Sequence, residues 1–198
     1  MNARQQRSAS CGLLNRSPGL NVCPAWFAWV INNPLRRWLH DPAEVLHGLV
    51  SPGSVVLEIG CGSGPFTIAL AELVGPSGRV IAADLQPAML AKVRKRVERA
   101  GLEDRVELHV CERDRIGLST PVDFALAFWM LHEVPNALTF LKEIHGLLND
   151  DGKLLLVEPK LHVGSSEFRV EMEAGWKAEF TLLAQPSIRL SRSALFAK

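Results

Sequence analysis

A chain of 198 residues has the length of a single domain with a substantial hydrophobic core. Its formal net charge of +1 gives no overall attraction to nucleic acid or to acidic membranes, so we expect neither a nucleic-acid partner nor stable membrane insertion. The four cysteines lack the spacing of metal or redox motifs, which suits a reducing compartment, and we expect a cytoplasmic protein.

The first 20 residues are polar and basic and contain glycine, proline and serine, which predicts a disordered tail over residues 1–20. No acid precedes Asp41, so this stretch superficially resembles a transit peptide, and residues 22–31 could pass for a short signal core. That run is too short to span a bilayer, and Asn32-Asn33-Pro34 is not a small-residue cleavage site. We therefore favour a retained N-terminal segment over a targeting segment.

Residues 21–50 are predicted to form a helical lid with an unusual share of aromatic side chains. These side chains are Trp26, Phe27, Trp29 and Trp38. Two interpretations remain open: the rings seal one end of the domain, or they wall a ligand pocket. A wall of this kind would suit a flat, apolar or cationic ligand.

The most informative stretch covers residues 55–64. The apolar run Val55–Ile59 predicts a strand buried on both faces, as in a parallel sheet. Gly60, Gly62 and Gly64 follow at alternate positions, where the chain must turn sharply and a ligand can approach the backbone. The helix predicted over Phe66–Val74 then offers free N–H groups that favour an anion. Strand, loop and helix together predict a nucleotide-type pocket.

A second predicted strand, residues 79–83, ends in Asp84, which lies 20 residues beyond Gly64. An acid in this position can accept hydrogen bonds from ribose hydroxyls. The third glycine follows the second by two residues rather than the three of the dinucleotide fingerprint, and Glu58 precedes the loop. The pattern therefore differs from that of a common dinucleotide-binding protein.

Strands and helices alternate regularly after this loop. We predict helices over 87–100 and 135–148, strands over 106–110, 122–130 and 153–157, and a closing antiparallel pair over 176–184 and 188–196. The basic residues of the first of these helices have no aromatic residues between them, which indicates a solvated outer face rather than a nucleic-acid surface.

Four sequence blocks resemble, in the same order, those of the class I S-adenosylmethionine-dependent methyltransferases. They are VLEIGCGSGPFT, VIAADLQPAML, VDFALAFWMLHEVP and LKEIHGLLNDDGKLLLVEP. The resemblance covers roughly residues 51–198, which we take as the methyltransferase domain. It implies an α/β fold: a Rossmann-like, seven-stranded, mostly parallel sheet with helices on both faces and an antiparallel last strand.

The resemblance also implies S-adenosyl-L-methionine as the cofactor. The glycine loop would contact its methionine part, Asp84 its ribose, and an acid near the end of strand three its adenine amino group. Asp114 is the best match for that acid, although Arg113 stands where the family usually has glycine. The implied cofactor-binding set is Glu58, Gly60, Cys61, Gly62, Gly64, Asp84, Leu85, Asp114 and Phe128. We expect Cys61 to be a small buried thiol rather than a catalytic one.

His132 and Glu133, just past strand four, are the candidate catalytic residues. A zinc motif would need a second histidine at position 136, where Asn136 stands, so we predict no metal site. His132 is either a general base that takes a proton from the acceptor or a residue that orders the loop. Glu133 would orient His132 or cap the next helix, and Glu158, after strand five, is a weaker candidate.

The acceptor is expected to be a small molecule, methylated by in-line displacement. The chain lacks the Asn/Asp-Pro-Pro-aromatic loop of enzymes that methylate base amino groups and the Pro-Cys pair of cytosine-C5 enzymes. Two alternatives remain: an NAD(P)-dependent oxidoreductase, which also uses a glycine loop and an acid after strand two, and a non-catalytic S-adenosylmethionine-binding module.

Overall fold

The computed structural model describes residues 40–198. The predicted tail over 1–20 and most of the predicted lid lie outside these residues, including Trp26, Phe27, Trp29 and Trp38. Of the lid, the described part contains one short helix, α1 (Pro42–Val45), which begins after Asp41. The Asp41 side chain accepts a hydrogen bond of 3.0 Å from the backbone N–H of Ala43 and so caps this helix.

Strands and longer helices alternate after α1. The strands are β1 (Val55–Ile59), β2 (Arg79–Asp84), β3 (Val106–Val110), β4 (Val122–Phe128), β5 (Leu148–Pro159), β6 (Thr181–Ala184) and β7 (Ser191–Ala197). The helices are α2 (Pro65–Val74), α3 (Pro87–Ala100), α4 (Ala137–Leu147) and α5 (Ser165–Lys177). Short 3-10 helices cover Glu103–Arg105 and Leu131–Glu133.

The strands form one seven-stranded sheet in the order β3-β2-β1-β4-β5-β7-β6. Neighbours among β1 to β5 are parallel, whereas β7 runs antiparallel to both β5 and β6. This architecture confirms the fold class predicted from the sequence. The strand order reverses between β1 and β4, and in open α/β sheets the crevice at the carboxyl ends of such strands is where ligands bind.

Hydrophobic cores lie on both faces of the sheet. One buried cluster joins the strands to α2 and α3, and the other joins them to α4 and α5. Successive residues of β1 contribute to opposite clusters, with Val56 on one side and Leu57 on the other. The prediction that β1 is buried on both faces is therefore confirmed. No helix within residues 40–198 is both long and apolar enough to cross a membrane.

Two predicted boundaries near the end of β4 are wrong. The strand ends at Phe128 rather than at residue 130, because Trp129 adopts a left-handed φ of 61° that turns the chain out of the sheet. Helix α4 begins at Ala137 rather than at residue 135, because Asn136 caps it by accepting a 3.0 Å hydrogen bond from the N–H of Thr139.

The C-terminal part of the sheet also differs from the prediction. β5 extends from Leu148 to Pro159, beyond the predicted 153–157. The segment predicted to be a strand from residue 176 begins with the last turn of α5, which includes Trp176. This helix forms because Phe168 and Met172, one helical turn apart, both bury against the sheet. The predicted antiparallel pair is confirmed over β6 and β7.

Candidate active site

The glycine loop between β1 and α2 is tied to the end of β2. The backbone N–H groups of Gly60 and Cys61 both donate to the carbonyl oxygen of Ala83, over 2.9 and 3.0 Å. Gly60, Gly62 and Gly64 all adopt left-handed φ angles, of 70°, 55° and 82°. Residues with a Cβ atom rarely adopt this conformation, which explains the glycine at each alternate position.

The surroundings of these glycines differ. A Cβ atom at Gly60 would come within 2.9 Å of the Met130 side chain, and one at Gly64 within 3.2 Å of Val93. At Gly62 no atom of the described chain lies within 4 Å of such a Cβ. Gly62 therefore faces open space beside the strand ends, and a ligand can approach its backbone.

Asp84, at the end of β2, holds this loop. One oxygen of its carboxylate accepts the N–H of Gly62 and the other the N–H of Gln86, each over 2.8 Å. Burial raises the pKa of Asp84 above its ordinary value, and the two hydrogen bonds only partly oppose this shift. Each carboxylate oxygen has two lone pairs, so the side chain can still accept hydrogen bonds from hydroxyl groups. The adjacent Leu85 is 39% exposed and offers an apolar surface at the same rim.

Glu58 and Cys61 lie deeper in the same region. The buried carboxylate of Glu58 accepts a hydrogen bond of 2.5 Å from the hydroxyl of Thr67, which joins β1 to α2. Burial raises the pKa of the Cys61 thiol, and the charges of Glu58 and Asp84 raise it further. Cys61 is therefore protonated at physiological pH and is a poor nucleophile, in line with its predicted role as a buried thiol.

Asp114, the acid predicted to bind the adenine amino group, lies beyond the last residue of β3, Val110. The N–H of Cys111 still donates to the carbonyl of Asp84, over 3.2 Å, so the strand pairing continues to that residue. Glu112 follows at once and begins a turn, in which its N–H donates to the carbonyl of Arg115 over 2.9 Å. Asp114 lies within this turn and is exposed. Glu112 is thus the acid nearest to the end of the strand.

His132 is oriented by Glu158 and not by its neighbour Glu133. Its Nδ1 atom lies 2.5 Å from the Oε2 atom of Glu158, whose side chain is completely buried at the end of β5. The other oxygen of Glu158 accepts the backbone N–H groups of Leu131 and His132, over 2.8 and 3.3 Å. The expectation that Glu133 caps the next helix is wrong, since Asn136 does so.

The charge of Glu158 determines the protonation of His132. Burial alone would lower the pKa of this imidazole, but the hydrogen bond to Glu158 and its charge outweigh burial and raise the pKa above the ordinary value. The imidazole is therefore more basic than it would be without Glu158, which favours its use as a general base. Its side chain is 26% exposed, so one edge of the ring reaches the crevice.

Aromatic rings line the same edge of the sheet. Phe128, at the end of β4, packs on Phe66 with ring centroids 4.6 Å apart, and both rings are buried. The ring of His40 meets the rings of Phe128 and Trp129 edge-on, at 5.3 and 5.0 Å. The indole N–H of Trp129 donates to the hydroxyl of Ser191 over 3.0 Å, which links β4 to the start of β7.

Glu171 is a buried acid in this region that the sequence analysis did not identify. It lies on α5, its side chain is 8% exposed, and burial raises its pKa to about 8. A signal for it exists in the sequence, because Glu171 falls between Phe168 and Met172 on the apolar face of an amphipathic helix. Within residues 40–198 no group of three metal-ligating side chains is arranged to hold an ion.

Comparison with known proteins gives consistent matches. A family model described as a methyltransferase domain matches residues 56–152. A demethylmenaquinone methyltransferase of Lactobacillus johnsonii is 32% identical over 134 residues, which are 67% of this chain and 53% of that protein. The chain spans about half the length of the curated relatives it matches.

Solved structures share the architecture over most of the chain. A SAM-dependent methyltransferase from Aquifex aeolicus has a TM-score of 0.77 and 26% identity, covering 87% of this chain and 96% of that one. A protein from Clostridium thermocellum, proposed to be an rRNA methylase, has a TM-score of 0.62 and 21% identity over 80% of this chain and 93% of that one. The similarity to the Clostridium thermocellum protein shows a shared fold only.

Proposed function

Because the chain belongs to the class I S-adenosylmethionine-dependent methyltransferase family, we propose that it is an enzyme that transfers a methyl group from S-adenosyl-L-methionine to a small-molecule acceptor. The observation that carries this proposal is the open space in front of Gly62, next to the carboxylate of Asp84. The backbone of Gly62 can be approached closely because it has no side chain, and the carboxylate of Asp84 can accept hydrogen bonds from ribose hydroxyls. Both features suit an adenosine-containing ligand.

The cofactor would be held by the ends of β1, β2 and β3. The loop from Gly60 to Gly64 would contact its methionine part, Asp84 its ribose hydroxyls, and the exposed side chain of Leu85 its adenine ring. Glu58, Cys61 and Phe128 are buried and would support the loop from the protein interior. We propose Glu112, which lies closer to β3, as the partner of the adenine amino group, with Asp114, the residue predicted from the sequence, as the alternative.

When bound, S-adenosyl-L-methionine would supply a methyl group on a positively charged sulfur, which is a good leaving group for an in-line displacement. The protein mainly has to align the acceptor with this group and exclude water, and proximity alone contributes about 7–11 kcal/mol. His132 would take the proton that the acceptor loses. Glu158 holds Nδ1 of that ring, which leaves Nε2 to face the acceptor.

Several features support a small and apolar acceptor. The relatives are named for demethylmenaquinone, and the rim contains the half-buried ring of Trp129 next to the buried Phe128. The aromatic segment that contains Trp26 and Trp38 would add a wall to this pocket as a lid over residues 21–50. The net charge of +1 argues against a nucleic-acid acceptor, and a cytoplasmic location would match the free thiols.

Thermal denaturation with four ligands tests the cofactor. We expect S-adenosylmethionine and S-adenosylhomocysteine to raise the melting temperature, because a ligand at 100 times its dissociation constant adds about 2.7 kcal/mol of stability. NAD and NADP should have no effect. A rise with NAD or NADP alone would instead favour the oxidoreductase.

Incubation of a metabolite extract with isotopically labelled donor tests turnover. Mass spectrometry should detect a labelled small molecule that is absent when the protein is omitted. Binding of the donor without any labelled product over a broad acceptor panel would favour the non-catalytic binding module.

A further inference from the structure

The carboxyl group of Glu171 is the most unusual polar group of the described chain. It lies on the sheet-facing side of α5, and its side chain is only 8% exposed. Its Oε2 atom is shielded from solvent, and no atom within residues 40–198 forms a hydrogen bond with it. An ionised carboxylate in this state would carry a large desolvation cost, so the group must hold a proton or gain a partner.

Glu158 provides the contrast. It is also buried, but its two oxygens accept two backbone N–H groups and the Nδ1 atom of His132. The two acids therefore have opposite environments, although the charge of each raises the pKa of His132.

Charged and titratable groups face this cluster from every neighbouring element. They are Glu133 in the 3-10 helix, Glu158 on β5, His162 in the loop that follows, Glu167 on α5, and Arg192 on β7. Arg192 is the cross-strand partner of Glu158 in the sheet register, but its Nε donates to the carbonyl of Val163 over 3.2 Å. Among the described residues, His132 is the only ion-pair partner of Glu158.

We propose that Glu171 is a positioning residue that carries the proton of a three-group cluster with His132 and Glu158. As a neutral acid, Glu171 leaves Glu158 as the one buried negative charge beside the imidazole. Loss of the Glu171 proton adds a second negative charge, which raises the pKa of His132. The cluster thus fixes the charge of the histidine that the proposed function uses as a base. Burial and the charge of Glu158 raise the pKa of Glu171 to about 8, so the change falls just above neutral pH.

The test is a titration of the histidine side chains in the full-length protein by NMR, with 15N-labelled histidine, from about pH 5 to about pH 10. The His132 signals are assigned by their loss in His132→Gln. In the wild-type protein we expect two inflections in the His132 chemical shifts, with the second near pH 8 from Glu171. Glu171→Gln, which is a neutral isostere, should keep the first inflection and lose the second.

Glu173→Gln is the matched control, because Glu173 lies on the same helix and is exposed. It should keep both inflections. A single inflection in the wild-type protein, or a second inflection that persists in Glu171→Gln, would overturn the proposal. This readout needs neither cofactor nor acceptor. Two inflections without methyl transfer would therefore support the cluster while refuting the proposed function.

Discussion

The imidazole of His132 and the carboxylate of Glu158 form a pair across two neighbouring strands, with Nδ1 and Oε2 2.5 Å apart. The two residues are separated by 26 positions in the chain, and the parallel pairing of β4 with β5 brings them to the same edge of the sheet. A carboxylate on one ring nitrogen fixes the tautomer and leaves the other nitrogen to accept a proton. His132 is therefore oriented before any acceptor arrives.

Glu158→Gln should impair this pair. The pKa of His132 should fall, because the hydrogen bond and charge that raise it are weakened, and kcat should drop by about two orders of magnitude, the lower end for a lost acid or base. Steady-state rates with the acceptor, once identified, measure the effect. Glu173→Gln is the control, because Glu173 is exposed on α5 and is not among the residues assigned to the site. An equal loss of rate in both variants would argue against the pair.

Gly62→Val should abolish cofactor binding. The space next to Gly62 is open, so the new side chain would fill the approach to the backbone, while the left-handed φ costs about 1–2 kcal/mol of stability. Gly101→Val imposes a similar backbone strain, at φ 66°, at the end of α3. Calorimetry with S-adenosylhomocysteine should detect binding to Gly101→Val but not to Gly62→Val. Comparable affinities would contradict the assigned role of the loop.

Asp84→Ala should weaken cofactor binding by roughly 1.5–3 kcal/mol, the range for hydrogen bonds to a charged group. Its melting temperature should fall as well, because the N–H groups of Gly62 and Gln86 lose their acceptor. Asp151→Asn, an exposed acid at the opposite edge of the sheet, should change neither quantity. Unchanged affinity in the Asp84 variant would exclude the ribose contact.

Glu112→Gln and Asp114→Asn compare the two candidate partners of the adenine amino group. Glu112 directly follows the last residue paired with β2, whereas Asp114 lies farther out in an exposed turn. We expect the Glu112 variant to lose affinity for S-adenosylhomocysteine by about 1 kcal/mol, as for one hydrogen bond. The Asp114 variant should bind like the wild-type protein. The reverse result would restore the assignment made from the sequence.

Glu171→Gln should change how stability depends on pH. In the folded protein Glu171 keeps its proton up to about pH 8, whereas in the unfolded chain it ionises near 4.5. The folded state binds the extra proton in this window, so the free energy of unfolding falls as pH rises, by at most about 1.4 kcal/mol per pH unit. The decline should be smaller in the variant, as measured by chemical denaturation at several pH values. Glu173→Gln should behave like the wild-type protein, and a decline as large in Glu171→Gln as in the wild-type protein would disprove the assignment.

The sequence was sufficient for the family and the fold class because the decisive signals are local. The glycines of the loop indicate left-handed φ angles from the sequence alone. Helix α3 ends at Gly101, as its sequence predicts. The bounds of α3 and β3 match the prediction in full. Each of these features depends on residues that are close together in the chain.

The arrangement of the site depends on distant residues, and there the sequence was less informative. Which acid contacts His132 is decided by the register between β4 and β5, and the adjacent Glu133 was the natural but wrong candidate for the contact. The same holds for Glu171, whose burial depends on how α5 packs against the sheet. Strand register and helix packing are tertiary properties that local pattern does not determine.

The direction of β7 has a practical consequence. Because this strand runs against its neighbour, Ser191 lies opposite Pro159 at the crevice, whereas Ala197 lies opposite Lys153 at the other edge of the sheet. Lys198 continues away from the crevice and donates its N–H to the carbonyl of Gly152 over 3.1 Å. A fluorophore or surface tether attached at this edge of the sheet would therefore lie away from the crevice, and we expect the immobilised protein to bind ligands as it does in solution.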